Sequence, residues 1–272
     1  MVLAKHALWL WGVAGKTDEP EWLMVEQRRL LGVLVDNKLT FEPCLSEAIA
    51  RGHAQFNDFF YAAESTGLLV LVAAAQVPLR IEPRVLYAAA FIATVVGAET
   101  KLNRLQQAWG RRLLGCHLGP MLRWPIVFAQ CGWTMRLGTR CREKAIMMRA
   151  RLCVLPEDHP AVVMFTVARG TLAPTWEASV SQLMQDPFLQ EPIPGMLESC
   201  CVPPGLLQKA RSCVDTRAQV LAVYKLNVVR PVLQQYDLRA YHQAADKHMP
   251  ALGCTFKELH PYLCNMDLKL LQ

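Results

Sequence analysis

Apolar residues at Leu102, Leu105, Trp109 and Leu113 recur at spacings of three and four, which places them on one side of a helix. Lys101, Arg104, Arg111 and Arg112 fall away from that stripe, and Gly115 follows as a natural helix stop. After Pro43 a similar face is approximated by Leu45, Ile49, Phe56, Phe59 and Phe60, closed by Gly67. Pro83 suits the first turn of another helix, running through Val85, Leu86, Phe91 and Val95. A basic helix is expected from about Met135 to Leu155, ended by Pro156, and Asp158 is the expected cap of the next, over 162–168.

Nearer the start the period changes. Leu30 to Val35 reads LLGVLV, short and apolar, with Asp36, Asn37 and Lys38 as a turn and Leu39 to Phe41 returning. Five prolines between 185 and 205 mark a linker, and beyond it Leu206 to Val229 and Val232 to His248 read as two helices split by Pro231. The expected architecture is mainly α, a helical bundle with a small β-hairpin near the N-terminus. It divides into an N-terminal extension (1–29), a helical domain (30–184), the proline-rich linker (185–205) and a C-terminal helical segment (206–272). The string RRLLG occurs twice, at Arg28–Gly32 and Arg111–Gly115, but the flanks do not align and no third copy exists, so it is not a structural repeat.

Composition narrows the class. Of 272 residues, 53% are hydrophobic and 19% charged, which suits a packed core and excludes wholesale disorder. The apolar runs Gly67 to Val77 and Val85 to Ala98 are too short to span a bilayer and predict buried helices, so no membrane partner is expected. Residues 1–15 loosely resemble a secretory signal, but their two tryptophans also fit a first structural element, and that reading is preferred. Ten scattered cysteines, including adjacent Cys200 and Cys201, are expected to be reduced thiols of an intracellular protein, nuclear or cytoplasmic.

Charge alters the picture most. Between Lys101 and Arg151 stand eleven basic residues and one acid, Glu143: eleven minus one is +10, and the net +6 leaves −4 for the rest. Such a segment is the electrostatic footprint of a phosphate-backbone partner, weighed against a plain solvated helical face.

Motifs for other chemistry fall short. Residues 12–17 (GVAGKT) suggest a phosphate-binding loop, but the position that needs the first glycine is Leu10. His248, Cys254, His260 and Cys264 are conceivable zinc ligands, yet their spacings match no paired knuckle and no C-x-x-C occurs. Neither a nucleophile elbow, an H-E-x-x-H nor a G-x-G-x-x-G is present, and Asp36 has no neighbouring aspartate with which to hold catalytic metals. No catalytic residue, metal or cofactor is expected.

Several segments, in order, resemble one family. RRLLGVLVDNKLTFEP (28–43) looks like the segment that follows the polymerase palm in LINE-type (non-LTR) retrotransposon reverse transcriptases. PRVLYAA (83–89), LNRLQQAWGRRLLG (102–115), QCGW (130–133) and LPEDHP (155–160) are similar to the family's later elements. The resemblance spans roughly Leu30 to Pro160, with Ala88 and Gln130 standing where the family usually has glycine and glutamate. It implies the thumb and following helical region, a part that grips a template–product duplex. The family's catalytic aspartates lie upstream of the matched segment, so the resemblance implies no polymerase activity for this chain, which would act alone or beside a separate palm-containing chain.

A thumb of this kind holds a duplex (RNA or RNA–DNA) through phosphates with little base readout. The expected contacts are Lys101, Arg104, Arg111, Arg112, Arg140, Arg142, Lys144, Arg149 and Arg151. The competing expectation is a helical protein–protein interaction module without nucleic-acid binding.

Overall fold

A computed structural model describes residues 27–30, 33–36, 40–115, 124–169, 176–195 and 203–248. The fold is mainly α. Its β element is an antiparallel hairpin of β1 (Gln27–Leu30) and β2 (Val33–Asp36), with Leu30 paired to Val33 and Gln27 to Asp36. The chain therefore reverses between Leu30 and Val33, before the turn expected at Asp36 to Lys38. Asp36 instead ends β2 and accepts the Thr40 N–H at 2.7 Å, in the approach to the first helix.

Helix α1 (Glu42–Ser65) starts with Pro43, whose missing N–H costs nothing in a first turn. Phe41 precedes it in the left-handed region (φ 57°), a strained state for an aromatic residue, and stacks on Phe91 at 5.1 Å. Gly67 (φ 65°) follows the helix, where Leu68 N donates to Ala63 O at 2.9 Å, closing it as expected.

Helix α2 (Val70–Arg80) departs from expectation. Only Ala73, Ala74 and Val77 of this helix are buried, and Leu68 to Val72 are all exposed. The buried positions, at spacings of one, three and four, fall on one side of the helix. The helix expected from Pro83 is also interrupted. It forms α3 (Glu82–Val85), a 3-10 turn (Leu86–Ala88) and α4 (Ala89–Ile92).

Then come α5 (Ala98–Leu113), α6 (Trp124–Cys131), α7 (Leu137–Cys153), α8 (Pro160–Arg169) and α9 (Trp176–Met184). At the start of α8 the side-chain acceptor is His159 Nδ1, which takes the Ala161 N–H at 3.2 Å, in place of the expected Asp158. The last helices among the described residues are α10 (Pro204–Ser212), α11 (Val214–Tyr224) and α12 (Arg230–His248). The break here falls at Cys213, not at Pro231. A π turn (Lys225–Val229) joins α11 to α12, with Arg230 N donating to Lys225 O. The widened turn lets the helix continue through a proline that has no N–H to donate.

Among the described residues two apolar clusters form the core. The first runs from Cys44 to Cys141 and includes Phe56 stacked on Trp109 at 5.6 Å. Gly52 permits that close crossing, because a Cβ there would stand 2.8 Å from Val85 and 3.0 Å from Trp109. The second runs from Met135 to Leu233. Residues 186–195, within the expected linker, place Leu189 and Ile193 in this second cluster, and Tyr224 Oη donates to Pro194 O at 2.7 Å. Helix α7 serves both clusters, through Leu137 and Cys141 on one side and Ala145, Ile146 and Ala150 on the other.

Candidate nucleic-acid interface

The basic segment lies mainly on two packed helices, α5 and α7. The apolar stripe on α5 packs as its spacing requires, with Leu102, Leu105, Trp109 and Leu113 all buried. The start of α7 meets α5 closely at Gly138, where a Cβ would lie 2.8 Å from the Glu99 backbone.

The N-terminus of α7 takes its hydrogen-bond acceptors from other helices. Arg136, its N-cap, has an extended backbone and makes no side-chain cap bond. Gln106 Oε1 accepts the Leu137 N–H at 2.7 Å, and Asn103 Oδ1 accepts the Gly138 N–H at 2.9 Å. Asp237, from α12, accepts the Arg136 N–H at 2.8 Å and the Thr139 hydroxyl at 2.6 Å. These groups satisfy helix-end donors that would otherwise be stranded in the interior. Asp237 also brings negative charge to the positive end of the helix dipole.

The arginines of the segment divide by burial. The Arg136 side chain is 14% exposed and pairs with Asp237 at 2.6 Å and Glu99 at 3.4 Å. Burial opposes its charge, but the two carboxylates outweigh that effect and hold its pKa above the ordinary value. Arg142 is buried, bridged to Asp186, with its guanidinium 5.0 Å from the Tyr236 ring centre. Arg140 pairs at 2.5 Å with Glu82, whose carboxyl is fully buried and also accepts Gln106 Nε2 at 3.0 Å. Burial pushes the Glu82 pKa up, with Arg140 and Gln106 pulling the other way. Arg149 faces Glu177 at 3.5 Å.

The positive charges of the segment are therefore not all free. Glu82, Glu99, Glu177, Asp186 and Asp237 all lie outside residues 101–151, yet each pairs with an arginine inside that segment. Counting charge along a segment misses carboxylates that tertiary packing supplies.

Arg111 and Arg112 are half-buried. With the Gln107 amide oriented to receive the Trp124 N–H, its oxygen also takes Arg111 Nη2 at 2.6 Å. Arg112 donates to Asn57 Oδ1 at 2.5 Å and lies 4.5 Å from the Phe60 ring centre. The remaining four expected contacts, Lys101, Arg104, Lys144 and Arg151, are exposed and make no ion pair among the described residues. Lys101 and Arg104 are one helical turn apart on α5, and Lys144 and Arg151 two turns apart on α7, so each pair shares a face.

Among the described residues no group of three or more His, Cys, Asp or Glu side chains is placed to hold a metal ion. The GVAGKT stretch and the cysteines and histidine at 254, 260 and 264 lie outside the described residues, as does the His248 side chain. No described helix is long and apolar enough to cross a membrane.

The sequence signalled the exposed cations but not the polar side chains that organise α7. One clue was present: Gln106 interrupts the buried stripe of α5 between Leu105 and Trp109, where an uncharged polar residue needs a partner. No protein-family model, curated protein or solved structure matches this chain.

Proposed function

We propose that the chain is a non-catalytic helical module of the reverse-transcriptase thumb type, gripping an RNA or RNA–DNA duplex through its phosphates. The observation that carries this reading is the set of exposed cations Lys101, Arg104, Lys144 and Arg151, which make no ion pair among the described residues and lie on two helices that pack together. Exposed cations without intramolecular partners can exchange their counterions for phosphates, whereas Arg140, Arg142 and Arg149 already satisfy carboxylates. The ordered resemblance over residues 30–160 supports the same reading.

Fluorescence anisotropy with a labelled RNA–DNA duplex at low salt tests it. Binding that weakens steadily with added salt is expected; absence of binding, or binding without a salt slope, contradicts it. Primer extension with magnesium should give no incorporation above background, and incorporation would contradict the non-catalytic assignment. A second reading, a protein–protein interaction module, is favoured by the exposed Leu68 to Val72 stretch, and on that reading the duplex does not bind.

A further inference from the structure

The side of α7 that carries Lys144 and Arg151 also carries Arg140. The three stand at spacings of four and seven residues, so they share one side of the helix. Lys144 and Arg151 are exposed, whereas Arg140 turns its guanidinium to Glu82 on α3. The Arg140 side chain is still 26% exposed, against 0% for Glu82, so the arginine lies at the surface end of the pair and the carboxylate beneath it.

The two oxygens of Glu82 make separate contacts. Oε1 accepts Gln106 Nε2 at 3.0 Å, and Gln106 in turn takes the Leu137 N–H at 2.7 Å. Oε2 accepts Arg140 Nη1 at 2.5 Å. A proton on Oε2 turns that acceptor into a donor and cancels the charge that holds the guanidinium, while Oε1 can keep its bond as a carbonyl oxygen. The start of α7 therefore stays anchored through Gln106 when the arginine is released. Burial favours the neutral carboxyl and holds its pKa above the ordinary 4.5, against the pull of Arg140 and Gln106. Of the elements packed around Glu82, α7 brings Arg140 and α5 the uncharged Gln106, and Arg84 on α3 itself is exposed. Among the described residues, α1 and α2 also pack on α3 but bring no charged group into the balance at this carboxyl.

We propose that Glu82 gates Arg140 as a further phosphate contact: the ionised carboxylate holds the guanidinium inward, and the neutral acid lets it turn out beside Lys144 and Arg151. This regulation deepens the duplex-binding reading above and rests on it. The duplex is then held by Lys101, Arg104, Lys144 and Arg151 at neutral pH and by these four with Arg140 at lower pH.

The salt slope of RNA–DNA duplex binding, measured from neutral pH toward 4.5 on the parent and on Glu82→Gln, tests the gate. The variant cannot ionise, so its slope at neutral pH should already be steeper than the parent's by about 0.9, the value of one added phosphate contact. As pH falls, the two slopes should converge, and this difference is insensitive to other groups that titrate in both proteins. Adding Arg140→Gln to the variant should return the parent's neutral slope. Phenylglyoxal labelling at one neutral pH reads the same release without nucleic acid: Arg140 should react faster in Glu82→Gln than in the parent, with the exposed Arg104 unchanged as reference. Equal slopes for parent and variant at neutral pH, or equal Arg140 labelling, overturn the gate. A parent that does not bind the duplex at all contradicts the phosphate-binding reading instead, and the labelling then still decides whether Glu82 holds Arg140.

Discussion

The carboxylate of Asp237 accepts both the backbone N–H of Arg136, at 2.8 Å, and its Nε, at 2.6 Å, across 101 positions of sequence. One acid thus caps the start of α7 and neutralises a guanidinium that has little access to water. Replacing Asp237 with Ala strands the Arg136 charge and removes a cap. The expected loss is about 3–5 kcal/mol, the usual range for breaking one side of a buried pair. Urea denaturation measures it. Leu238→Ala, on the exposed side of the same helix, should stay within about 0.5 kcal/mol of the parent. Equal effects for the two variants would contradict the assignment.

The crossing of α5 and α7 depends on Gly138. A Cβ there would stand 2.6 Å from Glu99 Cγ and 2.8 Å from the Glu99 backbone, and the backbone cannot move aside cheaply. Gly138→Ala should therefore destabilise by about 1–3 kcal/mol, even though alanine is the better helix former. A gain in thermal stability would show that the helices are not held this closely.

Glu82 gives the fold a pH dependence of a defined sign. Burial raises its pKa in the folded state above the ordinary 4.5, so folding favours its protonated form. Its contribution is complete below 4.5 and is lost as pH rises through the raised value. Glu82→Gln removes the titration. Denaturation of both proteins across this window should show the parent losing stability relative to the variant as pH rises. A constant difference would mean that Glu82 does not titrate as described.

The cysteines should separate by reactivity. Burial pushes the Cys131 thiol up to about 12, and Cys141 higher still. At Cys213, hydrogen bonds from the Thr216 side chain and backbone lower the pKa, with the Asp215 backbone helping. Brief alkylation followed by peptide mass spectrometry should label Cys213 well before Cys44, Cys131 or Cys141. Labelling of Cys141 at a comparable rate would indicate that α7 opens readily.

The sequence made the helical class legible because Leu102, Leu105, Trp109 and Leu113 follow a period that burial then enforces. It also located a hairpin, but not its turn: LLGVLV is apolar on both sides of the reversal, so pattern alone did not fix the register. Pro231 was misleading, since a π turn absorbs what a regular helix cannot. For the interface, the density of arginines was visible while their fate was not. Arg140 meets Glu82 from 58 positions away, and Arg142 meets Asp186 from 44, and local reading does not anticipate such pairings.

On the proposed reading, the exposed cations on α5 and α7 face phosphates while the paired arginines hold the scaffold. The salt dependence of RNA–DNA duplex binding tests it most directly, comparing the parent with a Lys101→Gln, Arg104→Gln, Lys144→Gln, Arg151→Gln variant. Each lost phosphate contact should lower the slope of log K against log salt by about 0.9, so removing four lowers it by roughly 3 to 4, with folding stability nearly unchanged. A variant that binds with the parent's slope, or a parent that shows no salt slope at all, would contradict phosphate contact by these four side chains.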